Sequence, residues 1–175
     1  LPIAGWIASR YINVRCYVAI GTLCIPFAGF LGIRLTTLEY QWRLVGSTWV
    51  LYTFAVAPAM CYSLLAANFA GHTKRGFVNG LWFVVWACGN VAGAYFFKTH
   101  EAPRYFTGIT ALLAFTCGAM FMFLVFVFYC MWENKRRDRL YGVSNVVDGE
   151  ADDEGIRDGF MDKTDFENKH FRYAY

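Results

Sequence analysis

The sequence predicts an all-α integral membrane protein of about four transmembrane helices followed by a polar carboxyl-terminal tail. Three observations predict it. The 175-residue chain is 57% hydrophobic and 19% aromatic, more apolar surface than a core of this size can hide, so the surplus faces lipid. Four stretches, Cys16 to Ile33, Leu44 to Phe69, Gly76 to Phe97 and Phe106 to Trp132, meet the roughly 17 to 25 apolar residues needed to cross a hydrocarbon core of about 30 Å. None alternates with period 2, and in hydrocarbon each backbone amide must be satisfied within its own segment, so the stretches read as helices rather than barrel strands.

Leu1 to Ser9 is apolar but too short to span, and it reads as the last turns of a helix that begins upstream. With no initiating Met and no basic leader, the chain is expected to be part of something longer. The span from Cys16 carries no informative polar group. In the span from Leu44, Ala55, Ala59, Ser63 and Ala67 form a ridge of small residues, and Pro58 frees the carbonyl of Phe54, so a kink is expected there. The link Asn68 to Arg75 gathers His72, Lys74 and Arg75 and reads as a short loop on the cytoplasmic side.

The span from Gly76 is the most informative. Asn79, Trp82, Trp86 and Asn90 recur at helical spacing and place two amides on one face. Lipid does not solvate an amide, so the stripe either bonds to a neighbouring helix or lines a wet cavity; Asn79, Asn90 and Trp86 are the cavity candidates. Gly76 and Gly80, then Gly89 and Gly93, repeat at four-residue spacing, which invites close approach of another backbone. Beyond the last span, residues 133–175 are polar and Asp-rich without an apolar period, and a largely disordered tail is expected. Its first residues, Lys135 to Arg139, lie where anionic headgroups attract basic side chains by about 1 kcal/mol each.

Charge gives the sidedness. Residues 1–132, the membrane bundle, hold 8 Lys and Arg and only two acids, Glu39 and Glu101, whereas residues 133–175 hold 8 basic and 11 acidic side chains. Alternate connections share a side, so Arg10, Arg15, Lys74, Arg75, Lys135, Arg136, Arg137 and Arg139 gather on one face of the membrane against Arg34, Arg43, Lys98 and Arg104 on the other. The positive-inside bias puts the richer side, and the tail, in the cytoplasm.

The same composition argues against several chemistries. The six cysteines (Cys16, Cys24, Cys61, Cys88, Cys117, Cys130) occur singly in apolar runs and read as reduced packing residues. His72 has no acidic residue in the sequence between Glu39 and Glu101 to orient it, so no catalytic role is assigned. No HExxH, Walker A sequence or metal-ligand spacing occurs, and no cofactor, metal or nucleic-acid partner is expected.

Several ordered blocks resemble one family: Asn68-x-Ala70-Gly71-His72-Thr73-Lys74-Arg75, Asn79, Gly89-Asn90-x-x-Gly93, Ala102-Pro103-Arg104-Tyr105-x-x-Gly108, Glu133-Asn134-Lys135-Arg136-Arg137-Asp138, and the closing Asp165 to Tyr173. Together they resemble the fungal allantoate permease family of the major facilitator superfamily, over the whole chain. The resemblance implies a twelve-helix fold in two halves, of which these spans would be the ninth to twelfth. It also implies proton-linked movement of small organic anions such as allantoate, nicotinate or pantothenate across the fungal plasma membrane. The partners so implied are the bilayer, the anion, protons and the amino-terminal spans. Gly5-x-x-Ala8-Ser9-Arg10 resembles a degenerate copy of the superfamily's cytoplasmic loop motif, with Ser9 where Asp is usual, and Ala94 replaces a usual Pro. A four-span scaffold or interaction protein without transport activity is the alternative from another class, and a membrane enzyme the third.

Overall fold

The computed structural model describes residues 2–11, 13–37, 39–142, 167–169 and 171–175, and all of its regular elements are helical. They are α1 (Pro2–Arg10), α2 (Arg15–Leu35), α3 (Gln41–Leu51), α4 (Val56–Asn68), α5 (His72–Ala94) and α6 (Phe106–Tyr141). The four expected spans are present as helices long and apolar enough to cross a membrane, with α3 and α4 together forming the second. Of the stretch Leu1 to Ser9, expected to be helical, Pro2 to Ser9 lie in α1, and Leu1 lies outside the described residues.

The bundle is organised around α2, which packs against α3, α4 and α6. Small residues on α2 make this possible. A Cβ at Gly29 would lie 2.9 Å from Leu51 Cδ2 and 3.0 Å from the Ser47 carbonyl oxygen, and one at Gly32 would lie 2.7 Å from Ser47 Oγ. Glycine therefore lets α3 rest directly on the α2 backbone. Ala4, Ala19, Val56 and Met60 form one buried cluster joining α1, α2 and α4, and Cys16, Leu64 and Val127 form a second joining α2, α4 and α6. Pro26 sits fully buried inside α2 without interrupting it.

The second span is not one helix. α3 ends at Leu51, a 3₁₀ turn covers Tyr52–Ala55, and α4 begins two residues before Pro58. The proline ring excludes the carbonyl four residues earlier, and the chain tightens its pitch over that turn. The kink expected from Pro58 is thus a 3₁₀ break immediately ahead of it.

At the end of the bundle opposite Asn68, side chains cap what the backbone leaves open. Glu101 accepts hydrogen bonds from the Thr107 amide at 2.7 Å and from the Thr107 hydroxyl, satisfying a donor in the first turn of α6. These bonds hold its carboxyl below the ordinary carboxylate range. Arg104 donates to the Thr36 carbonyl at 2.8 Å, and the guanidinium of Arg34 lies 4.3 Å from the centre of the Phe106 ring, so the α2 terminus is tied to the α6 start.

The start of the tail is helical. Glu133, where a disordered segment was expected to begin, lies inside α6, which continues to Tyr141. The reason is local: Glu133 pairs with Arg136 and Arg137 at three- and four-residue spacing, which stabilises a helix without any apolar period. At about 1.5 Å per residue this 36-residue helix is about 54 Å long, so it extends well past a 30 Å core. Residues 167–169 and 171–175 pack back against the bundle, whereas 143–166 lie outside the described residues.

Candidate functional site

The polar stripe predicted on the third span is carried by α5, and α5 buries no residue within this chain. Asn90 is exposed and spends its amide nitrogen on its own helix, donating to the Trp86 carbonyl at 2.8 Å. Its oxygen is left as an acceptor. Asn79 is half-buried and has no hydrogen-bond partner among the described residues. Trp82 touches Tyr62 of α4, with ring centres 5.6 Å apart, while Trp86 stacks on Phe83 of its own helix at 5.5 Å. Eleven residues separate the two asparagines, about 16 Å along the axis, so they bracket a polar strip half the depth of the hydrocarbon.

The remaining sequence candidates fall elsewhere. A Cβ at Gly89 or Gly93, expected to seat another helix, would meet nothing within 4 Å among the described residues. A close approach is seen at Gly29 and Gly32, a pair three residues apart that the four-residue pattern does not find. His72, Lys74 and Arg75, expected in a loop, form the first turn of α5, and the connection shrinks to Phe69 to Gly71. Gly71 makes the tight turn at φ +90°, a conformation costly for any residue with a Cβ. Lys74 lies 5.4 Å from the centre of the Phe69 ring.

Sequence reasoning missed a second polar site, at the end of the bundle where α4 stops. Asn68, 4% exposed, accepts from the Ala174 amide at 2.7 Å and donates to the Ala174 carbonyl at 2.8 Å. Asn134 on α6 treats Tyr173 the same way, at 2.8 Å in both directions. A carboxamide offers one donor side and one acceptor side, so each asparagine pairs with a peptide unit as a neighbouring strand would. Arg137, 6% exposed, bonds Glu133 at 3.2 Å and donates to the carbonyls of Asn168 and Phe171 at 3.3 Å each; the Tyr173 ring covers it at 5.0 Å. Arg172 pairs with Asp138 at 2.8 Å and donates to the Gly142 carbonyl at 2.8 Å. Three of the blocks quoted above, those holding Asn68, Glu133 to Asp138 and Asn168 to Tyr173, therefore meet at one place. Asp165, Phe166 and His170 of the last block lie outside the described residues.

Between α4 and α6, directly beside Asn68, lies an apolar groove of about 420 Å³ lined by Cys61, Leu64, Met122, Phe123 and Phe126 among others. It offers shape and apolar surface but no charge, so it does not recognise an anion by itself.

Comparison with known proteins agrees with the helices. The chain is 31% identical over 99% of its length to an uncharacterised transporter of Schizosaccharomyces pombe, and covers 33% of that protein. It is 29% identical over 97% of its length to the MFS-type transporter cnsL of Penicillium expansum, covering 33% of it, and 29% identical over 75% of its length to the allantoate permease of Saccharomyces cerevisiae, covering 23%. The chain thus spans about a third or less of the curated relatives it matches. No family model matches the chain, and no solved structure matches it. Its four membrane-length apolar helices and its similarity along nearly its whole length make these fungal transporters its homologues, consistent with the carboxyl-terminal part of a transporter of the major facilitator superfamily.

Proposed function

We propose that the chain is the carboxyl-terminal part of a secondary transporter that moves a small organic anion of the allantoate, nicotinate or pantothenate kind, coupled to protons, by alternating access. The observation that carries the reading is α5, a membrane-length helix with two asparagines on one face and no residue buried in this chain. Amides at membrane depth need a protein partner or a wet cavity. Further spans, absent from this chain, supply both: α5 lies against them, and Asn79, Trp86 and Asn90 face the space between the halves. There the Asn90 oxygen accepts from an N–H or O–H of the substrate and the Asn79 amide donates to its carboxylate. The charge that binds the anion and the acid that carries the proton reside on those further spans, because the spans described here hold no acid or base at midplane depth. The basic asymmetry supports a multi-pass membrane protein with α6 ending in the cytoplasm, and the plasma membrane is what the family resemblance implies.

The test compares Asn90→Leu with Cys117→Ala in the complete transporter, at matched surface abundance. Asn90→Leu lowers anion uptake about fivefold, the loss of about one neutral hydrogen bond that the Asn90 oxygen accepts from the substrate. Cys117→Ala, an exposed thiol on the apolar part of α6, leaves uptake within twofold. Equal uptake by the two variants refutes the assignment of the stripe to the cavity.

A further inference from the structure

We propose that residues 171–175 are a strap that holds the Asn68 end of α4 to α6, seated in a receptor for extended peptide that these two helices build. Three features of the contact set it apart from incidental packing of a chain end.

The first is how the segment is recognised. Asn134 reads the backbone of Tyr173 and Asn68 reads the backbone of Ala174, each through a reciprocal pair of bonds between 2.7 and 2.8 Å. Consecutive residues are thus read from two different helices. Neither asparagine has another partner among the described residues, so removing the segment leaves a buried amide at Asn68 and a half-buried one at Asn134 unpaired, each a cost the bundle avoids while the strap is seated.

The second is anchoring. The guanidinium of Arg137 is covered by the Tyr173 ring and bonds the carbonyls of Asn168 and Phe171. Tyr173 itself is buried, packed edge-on against Phe171 at 5.2 Å and near Tyr129 at 6.4 Å. Tyr175 packs on the cluster of Cys16, Leu64 and Val127, so the strap also reaches α2. Arg172 with Asp138 fixes its register from outside.

The third is what the strap joins. Both α4 and α6 lean on α2, yet they face each other across the apolar groove rather than packing along their lengths. Between α3 and α4 the helical path changes pitch at the 3₁₀ turn ahead of Pro58, a place where the second span can bend. The helix is therefore hinged at one end, and at the other it is held to α6 through Asn68, Ala174, Tyr173 and Asn134. Release of the strap frees that end to swing over the groove. This restraint is a property of the bundle and does not depend on what the protein transports.

Hydrogen exchange with residue-level fragmentation, on the full chain in phosphatidylcholine nanodiscs, tests it. Asn134→Leu, a change on α6, removes the two bonds to Tyr173. The Tyr173 and Ala174 amides are then expected to exchange about thirty-fold faster, as for two neutral hydrogen bonds. The amides of Leu65 to Phe69, at the end of α4, follow severalfold, while those of Ala19 to Leu23 in α2 stay as in the wild type. If Ala174 remains protected when Tyr173 is released, the contacts are independent and there is no strap. If the strap is released and Leu65 to Phe69 exchange as before, it restrains nothing, and the proposal is overturned. Should Asn134→Leu also loosen α2, Ala174→Pro gives the same comparison, since it deletes one donor in the closing segment and alters no residue of the bundle.

Discussion

Replacing Gly29 by alanine tests whether α2 is the element on which the bundle is built. The new methyl would lie 2.9 Å from Leu51 Cδ2 and 3.0 Å from the Ser47 carbonyl oxygen. Leu51 can rotate away, but the carbonyl is part of the α3 backbone and moves only if α3 moves. Overpacking of this kind costs about 1–3 kcal/mol, offset by up to about 1 kcal/mol from the better helix propensity of alanine. Gly32→Ala meets the Ser47 hydroxyl at 2.7 Å, and a hydroxyl can change rotamer, so its two contributions nearly cancel. Gly93→Ala meets nothing within 4 Å and keeps only the propensity gain. The three variants should therefore rank Gly93→Ala, Gly32→Ala, Gly29→Ala in falling stability, with about 2 kcal/mol between the extremes. Unfolding of the purified chain by sodium dodecyl sulfate in mixed micelles, followed by loss of helical ellipticity, measures the order. Gly29→Ala as stable as Gly93→Ala would show that α3 does not rest on the α2 backbone.

The carboxyl of Glu101 is held low by its bonds from Thr107, so the stabilisation it gives the start of α6 is present above the ordinary carboxylate range and is lost as pH falls through the lowered value. Thr107→Val removes the hydroxyl bond and keeps the amide bond, so carbon-13 titration of Glu101 should move up toward the ordinary range; an unmoved titration refutes the contact. For sidedness, cysteines placed at Glu39 and Glu101 should react with a membrane-impermeant reagent on intact cells while one at Lys74 does not, and the reverse pattern inverts the assigned topology.

Much of the architecture was legible because hydrocarbon leaves few choices. Span positions follow from length and apolarity, and Pro58 marks a change of pitch ahead of it, whereas Pro26 lies inside an uninterrupted α2, so proline alone does not fix where a span breaks. The extension of α6 through Glu133 to Tyr141 was hidden by attention to apolar period, although the Glu133, Arg136 and Arg137 spacing already favoured helix. Gly89 and Gly93 attracted attention through a common pattern, whereas Gly29 and Gly32 do the packing here. What makes them matter is Ser47 on the other helix, and one sequence does not pair them. Likewise nothing local says that Asn68 reads the backbone of Ala174, since 106 positions separate them. Recognition of main chain leaves no trace in the identity of the residue being read.

These contacts divide the bundle unequally. At one end Glu101, Arg104 and Arg34 tie the start of α6 to α2, and at the other Asn68, Asn134 and Arg137 tie α4 and α6 to the closing residues. Both sets leave out the middle of α5, which touches the rest chiefly through Trp82 on Tyr62 and its short turn from α4. α5 is also the least apolar of the four spans, yet it is the one in which no residue is buried. A helix in that position is held in the bilayer by its apolar surface, but it gains nothing from lipid for its amides and little from its neighbours. In the transporter proposed above, such a helix, weakly held within its own half and polar on one face, is the element on which contact with a second half exerts the greatest leverage.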